Sequence, residues 1–207
     1  MDEERAARLE GLASLYSFLS SVFLTLPDRA FMDSLSSMEW KPGESEGYNA
    51  IAAYARGLQG RDPEEALLEL SRDRARLVRG ANNEGIEPPY ESLYLGKGAQ
   101  SNFTNGSINR FLADAGFEKV EGVREAPEQI GVEINFAGAL MERELAAVRE
   151  GDLEAAGHWR EVRGRFMGQH LGRWAGEYAK VLQERANTGF YRGIGLLVEE
   201  VVARYRE

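Results

Sequence analysis

The sequence predicts an all-α protein of about eight to ten helices, on three observations. Apolar residues recur at three- and four-residue spacing through most of its 207 residues. Helix start and stop signals punctuate that pattern, most clearly Asp62-Pro63-Glu64-Glu65. No stretch shows the period-2 alternation of a half-buried strand, and neither an internal repeat nor a low-complexity segment is present.

The elements follow in order. Leu9, Leu12, Tyr16, Leu19, Phe23 and Leu26 form one apolar helix face that ends at Pro27. A short helix over about 28–37 follows, then another marked by Tyr48, Ile51, Ala52, Ala55 and Leu58. Asp62 is placed to cap the next, Pro63 suits its first position and Glu65 completes a capping box. Ala66, Leu67, Leu70, Leu77 and Val78 supply its buried face, and Gly80 ends it. A non-periodic stretch to about residue 103 precedes a helix over about 105–115, with Gly116 as C-cap. Pro127 opens a long helix carrying Ile130, Ile134, Ala137, Met141, Leu145 and Val148 on one face. Asp152 caps the next, which Gly168 kinks or breaks before Leu171, and a last helix covers about 190–205. The expected organisation is a single helical domain over 1–207, with an N-terminal lobe of about 1–116, a C-terminal lobe of about 127–207 and long joints at 80–103 and 117–127. Joints of that length are usually functional or mobile, and they leave room for a homodimer made by exchanging elements.

Composition narrows the function. Cysteine is absent, which excludes a disulfide framework, a thiolate metal site and a cysteine nucleophile. The net charge of −9 argues against nucleic acid as a partner, because phosphate contacts need clustered Lys and Arg. No apolar run approaches the roughly 20 residues of a membrane span, so no stable insertion is expected. The start, Met1-Asp2-Glu3-Glu4-Arg5, is acidic where a secretory signal would be basic, and the expected location is the cytoplasm.

Two segments stand apart. In Glu87-Pro88-Pro89-Tyr90-Glu91-Ser92-Leu93-Tyr94, consecutive prolines fix φ twice and remove two N–H donors, so the helical run must break. In Glu125-Ala126-Pro127-Glu128-Gln129-Ile130-Gly131-Val132-Glu133, acids again surround a proline at a helix boundary. Aromatic and acidic residues at such boundaries suit a recognition surface, and the candidates are Tyr90, Glu91, Ser92, Tyr94, Glu125, Pro127, Glu128 and Gln129.

Reaction machinery is hard to find. Gly96-Lys97-Gly98 lacks the spacing and the preceding strand of a phosphate loop. His158 and His170 lack the Glu-x-x-His spacing of di-metal bundles, so no metal or other cofactor is expected; His158 reads as a surface residue and His170 as a packed one. Glu125 and Glu128 read either as an acid–base pair or as acids favoured by a helix N-terminus.

The order of these features resembles the TorD/DmsD family of redox-enzyme maturation chaperones, which includes NarJ-like members. The likeness runs through Phe23 and Pro27, then Asp73, Arg76, Leu77 and Gly80 leading into Pro88 to Tyr94, then Glu125 to Glu133, and finally Phe166, His170-Leu171, Trp174 and Phe190-Tyr191. Where the family carries Asp-His, this chain has Glu128-Gln129, and glutamine hydrogen-bonds but does not titrate. The resemblance implies a TorD-like cytoplasmic chaperone without enzymatic activity or cofactor. Its implied partners are the twin-arginine signal peptide and the apo catalytic subunit of a molybdopterin oxidoreductase, held until the cofactor is inserted so that export is not premature. The alternatives are a helical adaptor or regulator without an exported client, and a nucleotide-binding or carboxylate-based enzyme.

Overall fold

The computed structural model describes residues 2–41, 43–81, 84–96, 101–117 and 125–206. Among these residues there are ten helices and no strand: α1 (Asp2–Leu24), α2 (Arg29–Ser37), α3 (Glu46–Arg56), α4 (Pro63–Arg79), α5 (Glu91–Tyr94), α6 (Ser101–Asp114), α7 (Ile130–Glu150), α8 (Leu153–Gln169), α9 (Leu171–Arg185) and α10 (Gly189–Arg206). The all-α expectation holds. Parts of both expected joints, residues 82–83, 97–100 and 118–124, lie outside the described residues.

Local chemistry sets most boundaries. Asp28, Ser45, Asp62 and Asp152 each accept a backbone N–H of the first turn of α2, α3, α4 and α8, which satisfies a donor the helix cannot. Gly80 ends α4 at φ +62, a left-handed conformation that a side chain would resist.

Four boundaries differ from the sequence reading, each for a physical reason. Helix α1 stops at Leu24, because Pro27 disfavours the helical region for Leu26; Leu26 leaves the buried face and is 71% exposed. Helix α6 begins at Ser101 and not near Asn105, since its first turn has no apolar stripe and Phe103 points to solvent. Helix α7 begins at Ile130, because Pro127 and Glu128 form a turn and Gln129 is the cap. The break between α8 and α9 falls at His170, with φ −128 and ψ −105, and Gly168 stays helical.

The chain sorts into two compact units, Met1–Leu24 with Tyr90–Trp174, and Thr25–Pro89 with Ala175–Glu207. In the first, α1 packs on α7, α7 on α8 and α5 on α6. Leu19, Phe23, Ile130, Leu140 and Phe166 are at most 1% exposed, and burial of each such side chain stabilises by about 1.5–3 kcal/mol. Helices α1 and α7 approach closely at Gly138, where a Cβ would stand 3.1 Å from the Tyr16 Cβ. Buried Glu144 of α7 ties in both neighbours, accepting from Arg5 of α1 and from Arg163 of α8 at 2.9 Å each.

In the second unit α10 packs on α3 and α4. Gly47 and Gly193 interlock: a Cβ on Gly47 would lie 2.8 Å from the Gly193 carbonyl oxygen, and one on Gly193 2.9 Å from that of Gly47. Buried Asp73 of α4 accepts from the Thr188 N–H and hydroxyl at 2.8 Å each and from the Asn187 N–H at 3.2 Å, which fixes the entry to α10.

Candidate functional site

The two segments singled out by sequence come together inside the first unit, at the start of α7. The prolines leave Tyr90 extended, at φ −120 and ψ 131, and Tyr90 forms an isolated antiparallel bridge with Gln129. Helix α5 follows at once, yet Tyr90 offers it no side-chain cap. The other segment supplies one. The Glu91 N–H donates to the Glu128 carbonyl at 3.0 Å, and the Ser92 N–H donates to Glu128 Oε2 at 3.0 Å. The second Glu128 oxygen accepts from the Asn105 amide of α6 at 3.2 Å, while Asn105 Oδ1 accepts the Glu128 N–H at 3.2 Å. One carboxylate thus caps α5 from 36 residues away and ties in α6. Charge-assisted bonds of this kind are roughly twice as strong as neutral ones.

Gln129 turns inward and caps α7, its Oε1 accepting from the Gly131 N–H at 2.6 Å and the Val132 N–H at 3.3 Å. Where the resembling family has an imidazole, this chain has a cap. An imidazole enters the cluster from elsewhere: His170, at the break between α8 and α9, sets Nδ1 2.9 Å from Glu91 Oε2, both side chains being buried. The His170 ring packs against Phe166 and Phe111, with centroids 5.4 and 6.1 Å away.

Glu133, on the first turn of α7, is fully buried, and the Trp174 indole N–H donates to its two oxygens at 3.2 and 3.3 Å. The Tyr94 ring lies 5.5 Å from the indole. Burial raises the Glu133 carboxyl well above the usual carboxylate range and the Glu91 charge raises it further; the Trp174 bond opposes this, and Glu128 adds to the rise.

All eight candidate residues are therefore gathered, and they are not equally accessible. Glu91, Ser92, Glu128 and Gln129 are 2–3% exposed. Tyr90, Tyr94, Glu125 and Pro127 are half-buried and form the rim, where the Tyr90 hydroxyl lies 3.4 Å from Glu125 Oε2. Beyond Phe111, a cavity of about 420 Å³ between α6 and α8 is lined by Phe111, Asp114, His158, Trp159 and Arg165 among others.

Sequence reading missed the roles of Asn105, Glu133 and Trp174, although the signal for Glu133 was present. It falls on the same stripe of α7 as Ile130, Ile134, Ala137 and Met141, and an acid on a buried stripe must find partners. Glu144 and Asp73 carry the same signature. Among the described residues no group of three or more His, Asp or Glu is arranged to hold a metal ion, and no helix is long and apolar enough to cross a membrane.

Residues 40–180 match the family described as nitrate reductase delta subunit. The chain belongs to this family. It is also similar over nearly its whole length to the protein named chaperone protein TorD of Vibrio parahaemolyticus serotype O3:K6 (strain RIMD 2210633), with 25% identity covering 95% of this chain and 93% of that one. The TorD/NarJ resemblance read from the sequence is therefore sound, and the chain is a TorD-type redox-enzyme maturation chaperone. The family is non-catalytic, which removes the enzyme alternatives and with them the acid–base reading of Glu125 and Glu128.

Proposed function

We propose that this member of the nitrate reductase delta subunit family works in the cytoplasm. It binds the twin-arginine signal peptide and the apo form of a molybdopterin oxidoreductase catalytic subunit, assists cofactor insertion and delays export until insertion is complete. The observation that carries the reading is the similarity to a TorD chaperone across 95% of the chain. The rim of the cluster supplies the contact: Tyr90 and Tyr94 offer amphipathic rings and Glu125 an acid to a peptide with arginines beside an apolar stretch. Glu91, Ser92, Glu128 and Gln129, which are buried, hold that rim in shape and meet the peptide only at its edge.

Titration calorimetry with the twin-arginine leader of a molybdopterin oxidoreductase catalytic subunit tests the reading. A saturable 1:1 isotherm is expected. Absence of binding to both the leader and the full-length apo subunit contradicts it. Tyr90→Ala should weaken binding while the melting temperature stays nearly unchanged, because the side chain is only half-buried.

A further inference from the structure

The chain crosses the boundary of the first unit three times: after Leu24, before Tyr90 and after Trp174. These places are far apart in sequence, yet on the first-unit side all three are fastened to one turn, residues 129–133. Leu24 and Phe23 press on Gly131 so closely that a Cβ there would stand 2.8 Å from the Leu24 Cγ and 2.9 Å from the Phe23 Cβ. The Ser20 hydroxyl adds a buried bond to the Gly131 carbonyl at 2.9 Å. Tyr90 is bridged to Gln129, and the next N–H, that of Glu91, is taken by Glu128. Trp174 donates to both oxygens of Glu133. Gln129 closes the turn on itself through its bonds to the Gly131 and Val132 N–H groups.

We propose that residues 128–133 form a clasp that holds these three crossings of the chain together, so that they are released as one event and not singly. The physical reason is that the fastenings sit on neighbouring residues of one short segment. Glu128 holds α5 through both the carbonyl and the carboxylate, Gly131 admits α1 only because it lacks a Cβ, and Glu133 lies among Glu91, Glu128 and Trp174. A shift of the turn that breaks one fastening displaces the partners of the others, and contacts within one network are strongly non-additive. Close-packed interiors also switch between discrete arrangements and do not bend continuously. The groups that face the clasp from each element are the Ser20 hydroxyl of α1, Glu91 of α5 with His170 behind it, Asn105 of α6 and the Trp174 indole of α9. Opening the clasp frees Tyr90 and Tyr94 from their backing, which would change how the rim is presented. The clasp rests on contacts inside the first unit and involves no client.

Hydrogen–deuterium exchange of the full chain, without client, tests it. Glu128→Ala deletes the borrowed cap of α5. Loss of such a buried bond should raise exchange roughly tenfold, not only at 90–95 but also at 20–24 and 171–174, with α10 unaffected. Trp174→Phe keeps an aromatic ring but removes the N–H donor together with part of the indole's buried volume, so it opens the clasp from the opposite fastening and keeps the test intact should Glu128→Ala fail to fold. For that variant the coupled rise is expected at 20–24 and 90–95. An increase confined to the mutated fastening in either folded variant overturns the clasp, whatever the outcome of client binding.

Discussion

Glu133 is a fully buried acid in the first unit. Its carboxyl is raised by burial first and by the Glu91 charge second, so the native state holds its proton more tightly than the unfolded chain does. The sign follows from linkage. A raised acid contributes its full stability below the ordinary carboxylate pKa of about 4.3, and that contribution is lost as pH rises through the elevated native value. The stability advantage of the native protein over Glu133→Gln should therefore fall as pH is raised from about 4.5, read by urea denaturation across a pH series. Parallel curves for the two proteins would show that Glu133 titrates in an ordinary way. Glu144 is the opposite case, an acid with two cationic partners, Arg5 and Arg163. Glu144→Ala strands both and should cost about 3 kcal/mol, the lower end for a broken buried pair because Arg5 keeps about a third of its side chain in water. A loss below about 1 kcal/mol in chemical denaturation would place the pair among ordinary surface bridges. Both acids were visible in the sequence as charges on an apolar stripe, whereas their partners were not, because Trp174 and Arg5 come from distant positions in the chain.

At the scale of elements, legibility follows where the stabilising partner comes from. Helices α4 and α8 carry their own caps in Asp62 and Asp152, and the sequence located both starts correctly. Helix α5 could not be read, since its cap is a carboxylate 36 residues on, and four residues hold no periodicity. The start of α7 was placed too early because Pro127 and Glu128 look like first-turn residues, while the structure uses Glu128 to cap another helix. Two glycine substitutions separate close approach from mere presence of glycine. Gly131→Ala puts a methyl 2.8–2.9 Å from Leu24 and Phe23 and should destabilise by about 1–3 kcal/mol. Gly157→Ala, within α8, meets nothing within 4 Å and should stabilise by about 0.5–1 kcal/mol. Thermal melts of the two variants check the pair, and equal shifts would contradict the packing of α1 on the start of α7.

For the whole molecule, the helical class and the family could be read from pattern and motif order alone, and the family match over 40–180 agrees with that reading. The sequence marked 90–94 and 125–129 as candidates for a recognition surface; their burial was not legible, because it depends on α6, α8 and α9 closing around them. That burial bears on how a client would be held. Exposed ion pairs contribute roughly 0–1 kcal/mol each and are screened by salt, whereas burying one Leu-sized side chain contributes about 1.5–3 kcal/mol. Glu91 and Glu128 are buried and bonded inside the protein, whereas Glu125 is half-buried at the rim beside the Tyr90 hydroxyl. The apolar stretch of the leader should then carry most of the affinity, and the arginines should set orientation and on-rate. Raising salt to about 0.5 M should weaken binding by roughly tenfold or less.

The most direct test of the chaperone reading is calorimetry of the purified chain with three forms of the client leader: native, with both arginines changed to glutamine, and with two apolar-stretch leucines changed to polar residues. Saturable binding of the native leader is expected, with a modest loss on removing the arginines and a larger loss on removing the leucines. No binding of the native leader or of the full apo subunit would contradict the function proposed for this chain.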